Sequence, residues 1–211
     1  SSTSRGLGDV YKRQVIAVNG AYSLLNSAGW FRHRDRKAWW QITADEISST
    51  RNIFKEAHNI TWAEGVMDGE RYWASLYETV RNTSDAIKNI NGNENLSQNT
   101  IDQSLGQLYV IRALAYYDLT VVWGDVPFFT EILSPAELSS LERTPVKTIR
   151  DAMVKDLQTA YGLLPDSWSG ADLGRMSKWA ARALEAKFHM FEKNWQGMLT
   201  ASKDIIDNSP H

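Results

Sequence analysis

The chain has 211 residues, a formal net charge of -2 and no cysteine. A nearly balanced charge offers no basic field for nucleic acid, and the absence of thiols excludes disulfides, thiolate metal sites and a cysteine nucleophile. With 43% hydrophobic and 23% charged residues, the composition is that of a globular protein of one domain or two small ones.

Residues 1–14, SSTSRGLGDVYKRQ, are polar and basic without helical periodicity. They resemble a translated sequencing adapter and are set aside as a non-native or disordered tail. Val15 to Ala28 reads as a first helix, closed by Gly29. Trp30 to Gln41, WFRHRDRKAWWQ, is basic and aromatic. Ile42 to Ser48 reads as a short helix or turn with Thr43 as N-cap. Thr50 to Met67 lacks clean periodicity and is expected to be loop with partial helix. Gly69 to Ile90 is helical, with Trp73, Leu76, Tyr77, Val80, Ser84 and Ile87 recurring on one face. Asn91-Gly92-Asn93 is a turn, and Leu96 to Ile101 leads into the next helix.

From Leu108 to Trp123, thirteen of sixteen residues are apolar, the exceptions being Arg112, Asp118 and Thr120. Apolar residues at every helical angle predict a helix buried on most sides. Arg112 and Asp118 rule out a membrane span here. Six positions apart, they face different ways, so each must find its partner on another element. Gly124 ends this helix and Pro127 blocks its restart, leaving an extended segment from Val126 to Thr130. Asp125 is expected to hold that turn through its side chain. A loop follows to Arg143. Thr144 then reads as an N-cap with Pro145 at N1, opening a helix that ends near Leu164-Pro165. Asp166 to Asp172 is loop and contains Trp168. Further helices run from Ser177 to Glu192 and from Trp195 to Asn208. Trp73, Trp123, Trp179 and Trp195 lie in or at the ends of helices and are expected in the core. Arg-Ala-Leu occurs at Arg112 and again at Arg182, close to twice the ~34-residue tetratricopeptide period. The expected fold is all-α, a tetratricopeptide-like solenoid of helical pairs with long loops over residues 15–211. A solenoid covers its last face with polar residues, whereas Ile205-Ile206 is apolar, which reads as a truncated array.

Several motifs occur in a diagnostic order: Trp73, Leu76-Tyr77, Arg81-Asn82 and Ala86-Ile87; then Arg112-Ala113, Tyr116-Tyr117, Asp118-Leu119 and Trp123-Gly124-Asp125-Val126-Pro127; then Asp156-Leu157, Ala160 and Leu164-Pro165; then Gly174 to Lys178 with Ala180-Ala181 and Ala183-Leu184. This series resembles the SusD/RagB family of glycan-binding outer-membrane lipoproteins, with Arg112, Tyr117, Asp118, Trp123, Gly124, Asp125 and Pro127 as its structural hallmark. One departure is Gln107, where the family usually has Glu. The resemblance implies a surface-exposed protein that captures oligosaccharide without catalysis and hands it to a SusC-type TonB-dependent outer-membrane transporter, with no cofactor. It also implies a lipid-anchored protein with a further C-terminal half. The chain would then be the N-terminal helical part, without signal peptide or anchor cysteine.

The histidines, His33, His58, His189 and His211, form no i, i+4 pair. No G-x-S-x-G, phosphate-cradling glycine loop or HExxH motif is present. Carboxylates such as Asp45-Glu46 read as exposed acids. Nine Trp residues are an excess beyond core needs, and Trp and Tyr stack on the flat C–H faces of sugars while Asn and Arg bind hydroxyls. Trp39, Trp40 and Trp62, with Arg36 and Asn59, are the candidate carbohydrate ligands; Trp168 lies in a separate loop. Two other readings remain: a tetratricopeptide-like scaffold that binds a protein or peptide, and an all-α enzyme with an acid pair across a cleft.

Overall fold

The computed structural model describes residues 16–26 and 69–210. Helix α1 covers residues 16–25. It is followed by α2 (Gly69–Ile90), α3 (Gln98–Trp123), β1 (Val126–Pro127), the short α4 (Pro135–Ser139), β2 (Arg143–Thr144), α5 (Val146–Leu163), a 3-10 turn (Gly170–Asp172), α6 (Lys178–Phe191) and α7 (Trp195–Asn208). Helices α2, α3, α5, α6 and α7 pack in a row, each against the next. Cross-helix bonds show the neighbours to be antiparallel: Tyr72 near the start of α2 meets Asp118 near the end of α3, and Arg150 early in α5 meets Glu192 just after α6. The expected all-α solenoid of helical pairs is therefore the observed architecture.

Helix α2 buries Tyr72, Leu76, Thr79, Val80, Thr83, Ala86 and Ile90, a stripe of spacing three and four that faces α3. It ends where Gly92 takes a left-handed φ of 75°. Helix α3 is buried on nearly all sides from Leu105 to Thr120. It begins earlier than its apolar stretch suggested, because Ser97 caps it by accepting from the Thr100 amide at 3.2 Å. Gly106 permits close approach of α3 to the end of α5: a Cβ there would lie 2.6 Å from Leu164 Cγ. The main core gathers α2, α3, α5 and α6 around Leu76, Tyr116, Leu119, Met153, Leu157 and Phe188. A second cluster joins α1 through Val18 and Ala21 to Ile90, Ile101 and Leu108. Gln107 also ties to α1: its Oε1 accepts from Tyr22 at 3.0 Å while its Nε2 donates to the Gln103 carbonyl at 2.8 Å. The amide thus donates as well as accepts, which a carboxylate would not.

Arg112 is 4% exposed. Its guanidinium reaches Asp156 of α5 at 2.7 Å, the Thr130 carbonyl at 3.1 Å and Ser84 of α2 at 3.4 Å. Asp118 accepts from Tyr72 at 2.6 Å. Both ions find their partners on other elements, as their spacing required. Arg150 repeats the device between α3, α5 and α6, donating to the Thr120 carbonyl at 3.2 Å and to Glu192 at 2.8 Å.

Three expectations are corrected. Thr144 does not cap α5, because it is taken up in a two-residue antiparallel ladder opposite Val126. The cap comes from Asp125, whose Oδ1 accepts from the Val146 amide at 2.8 Å. The segment read as loop up to Arg143 contains α4, whose Ser134 and Glu137 form a reciprocal capping box with Pro135 at N1. Trp195 is 61% exposed rather than core. It stands on one stripe of α7 with exposed Leu199 and Ile206, and α7 buries only Ala201. Trp179, by contrast, is buried, while Trp73 and Trp123 are half-buried.

Two stability outcomes follow. Asp156→Ala strands a desolvated guanidinium and should cost about 3 kcal/mol in urea unfolding, whereas the apolar pair Arg112→Met with Asp156→Leu should cost less than that single change. Asp125→Ala should cost about 1 kcal/mol through loss of the α5 cap.

Candidate functional site

The segment after α3 is held to the helices by side chains. Gly124, with φ 70° and ψ -123°, makes the turn in a conformation that favours glycine. Tyr77 donates to the Pro127 carbonyl at 2.7 Å. Tyr116 donates to the Phe129 carbonyl at 2.8 Å and accepts from the Phe129 amide at 3.0 Å. With Arg112 on Thr130, these bonds satisfy a backbone that has only two residues of ladder of its own. Burial pushes the phenols of Tyr77 and Tyr116 well above their usual range, so both remain hydroxyl donors. Among the other hallmark residues, Tyr117 wedges its ring edge-on between α3 and α6 against Phe188, with centroids 5.5 Å apart.

This segment forms one wall of a groove of about 630 Å³, within the range of ligand sites. Phe129, Ile132, Leu138 and Leu141 supply that wall and α2 supplies the other. On α2, Trp73, Tyr77, Arg81 and Asp85 recur every four residues, so they line one side of the helix, with Glu78 and Asn82 beside them. Trp73 stands edge-on to Trp123 at 5.1 Å and tilted against Tyr77 at 4.8 Å. Tyr77 stacks on Phe129 at 6.0 Å and 19°. The groove therefore joins an aromatic end to a row of exposed groups, Glu78, Arg81, Asn82 and Asp85, that can donate and accept hydrogen bonds. Aromatic faces for C–H surfaces and a polar row for hydroxyls are the complement of a saccharide.

Trp39, Trp40, Trp62, Arg36 and Asn59 lie outside the described residues. Trp168 donates through its indole to the Met176 carbonyl at 3.0 Å and packs against the main core, so it closes a loop. Trp73, expected in the core, is the lining residue that the sequence reading missed. Its i, i+4 neighbour Tyr77 and the polar positions beyond it were the available signal. Among the described residues, no group of three or more His, Cys, Asp or Glu is placed to hold a metal ion, and no helix is long and apolar enough to cross a membrane.

A row of antiparallel helical pairs defines a helical-repeat fold, here bearing an aromatic groove with a polar flank. Comparison with known proteins narrows the class. Residues 8–190 match the family model SusD-like_3, described as starch-binding associating with outer membrane. SusD-like protein P25 of Formosa agariphila is 34% identical over 204 residues, covering 92% of this chain and 39% of that protein. SusD-like protein P2 of the same organism is 26% identical, covering 91% and 38%. The chain belongs to the SusD-like family, and it spans about two fifths of the length of these relatives. Among solved structures, a laminarin-binding SusD-like protein matches with a TM-score of 0.80 at 20% identity, over 93% of this chain and 43% of its own. A SusD superfamily protein from Bacteroides vulgatus matches with a TM-score of 0.83 at 18% identity, over 94% and 43%. At such identities these likenesses establish the fold.

Tyr116→Phe should orphan both backbone groups of Phe129, cost about 1–3 kcal/mol in denaturant unfolding, and speed amide exchange at Phe129.

Proposed function

We propose that this chain is the helical part of a protein that captures oligo- or polysaccharide at the bacterial outer surface and delivers it, unaltered, to a TonB-dependent transporter of the SusC type. The observation that carries the reading is the groove along α2, where Trp73, Tyr77 and Phe129 provide aromatic surface and Glu78, Arg81 and Asn82 provide hydrogen bonds, in a chain of the SusD-like family. The laminarin-binding relative supports a glycan as the ligand class. Trp39, Trp40 and Trp62, with Arg36 and Asn59, remain proposed carbohydrate ligands. A lipid anchor at the outer membrane and the transporter partner belong to the same proposal.

Binding rather than hydrolysis suits the chemistry. Glycoside cleavage needs two carboxylates on opposite sides of the scissile bond, one held protonated by a dry environment. Glu78 and Asp85 are exposed and project from the same helix, so they suit hydroxyls better than an oxocarbenium ion.

The test is affinity electrophoresis of the chain across a panel of polysaccharides, with Trp39→Ala, Trp40→Ala, Trp62→Ala and Trp73→Ala alongside. Retardation by at least one glycan is expected. Trp73→Ala should weaken it about fivefold, the loss of about 1 kcal/mol of aromatic contact. No retardation by any glycan would put the sugar site outside these residues or favour the protein-binding scaffold, and the same gels run with the full-length protein would separate the two.

A further inference from the structure

Asparagine followed by glycine occurs at Asn19-Gly20 and at Asn91-Gly92. In this dipeptide the side-chain carbonyl carbon of asparagine is open to attack by the next backbone nitrogen, because glycine has no Cβ to screen it. Sequence ranks the two sites equally, and the structure separates them. Both asparagines are exposed. Gly20 lies inside α1, so its amide belongs to the helix ladder and the backbone around it is fixed. Arg175 adds a restraint, donating from Nη2 to Asn19 Oδ1 at 3.0 Å.

Asn91 stands one residue past the end of α2. Its own amide still donates to the Ile87 carbonyl at 2.9 Å, and the Asn93 amide donates to the Ile90 carbonyl at 3.1 Å. Between these two anchors, the Gly92 amide and the Asn91 side chain make no hydrogen bond among the described residues. Gly92 has a φ of 75°, and a Cβ built there would meet nothing within 4 Å, so the junction is unhindered. Asn93 in the same turn differs: Glu94 follows it, and its Oδ1 accepts from the Asn95 amide at 3.1 Å.

We infer that Asn91 is a site of spontaneous covalent modification, by deamidation in the turn between α2 and α3, and that α1 holds Asn19 inert. The Gly92 nitrogen loses its proton to water and bonds to Asn91 Cγ. The bond from Cγ to Nδ2 breaks, ammonia leaves and a cyclic imide closes. Water then opens the imide at either carbonyl. Opening at Cγ gives aspartate; opening at the backbone carbonyl gives isoaspartate, in which the chain runs through Cβ and Cγ. The sum is asparagine and water to aspartate or isoaspartate and ammonia, with no oxidant or reductant. Either product places a carboxylate at the end of α2, where unpaired carbonyls already concentrate negative charge. Isoaspartate also lengthens the backbone between Ile90 and Ile101, which share the second core cluster.

The experiment is incubation of the folded full chain at mildly alkaline pH, followed by peptide mass spectrometry and isoaspartate methyltransferase labelling. Asn91 should convert about tenfold faster than Asn19, whose reaction waits for local opening of α1. In urea, with α1 melted, the two rates should converge. The parent should acquire an acidic band in isoelectric focusing, and Asn91→Gln, conservative at an exposed position, should remove most of it. Equal rates in the folded chain, or an Asn91 that stays intact while the unfolded chain reacts, overturn the assignment. A rate gap that persists in urea overturns the protection by α1, since the difference would then lie in local sequence and not in the fold.

Discussion

A guanidinium buried in a helix core must be surrounded by acceptors, and Arg112 satisfies that requirement by drawing four parts of the chain together. Asp156 comes from α5, Ser84 from α2 and the Thr130 carbonyl from the segment after β1. An ammonium could not serve the same purpose, because a planar fork is needed to address acceptors on three sides at once. The net energy of such a buried pair against an apolar substitute is small. What it supplies is registration: α5 can dock on α3 only where Asp156 meets the guanidinium. Gly106 enforces the same docking sterically, since the end of α5 sits where a side chain would be.

From that registration the groove follows. The segment after α3 would be an unsupported loop if its carbonyls faced water. Tyr77, Tyr116 and Arg112 take up three of them, and the aromatic side chain of Phe129 is thereby set against Tyr77. Asp125 meanwhile joins the exit of α3 to the entrance of α5. Of the residues that resembled a family hallmark, Arg112, Gly124 and Asp125 fasten this segment to the helices, and Tyr117 and Asp118 tie α3 to its neighbours.

Much of this was legible because local pattern and tertiary demand agree. The stripe of α2, the all-round apolar character of α3 and the limits of α7 all follow from side-chain periodicity, and the observed helices match. The need of Arg112 and Asp118 for distant partners was legible from their six-residue spacing. Other features depend on information that periodicity does not hold. The capping of α5 by Asp125 joins residues 21 apart, so the nearer Thr144 was the natural local choice. The capping box of Ser134 and Glu137 was present in the sequence and was overlooked beside the stronger turn signals around it. The exposure of Trp195 depends on which neighbour α7 has, which amphipathicity alone does not state. Trp73 was assigned to the core for the same reason: a helical aromatic reads as buried until the opposite wall is known.

Because each helix in the row touches chiefly the next, stability is not shared evenly along it. Among the described elements, α7 packs chiefly on α6 and buries a single residue, Ala201. It is fastened to α6 mainly by Arg182 on Asp204 at 2.8 Å, while α3 lies between two helices and beneath a third. Within the described residues α7 is therefore the least anchored helix of the row, and its amides should exchange faster than those of α3.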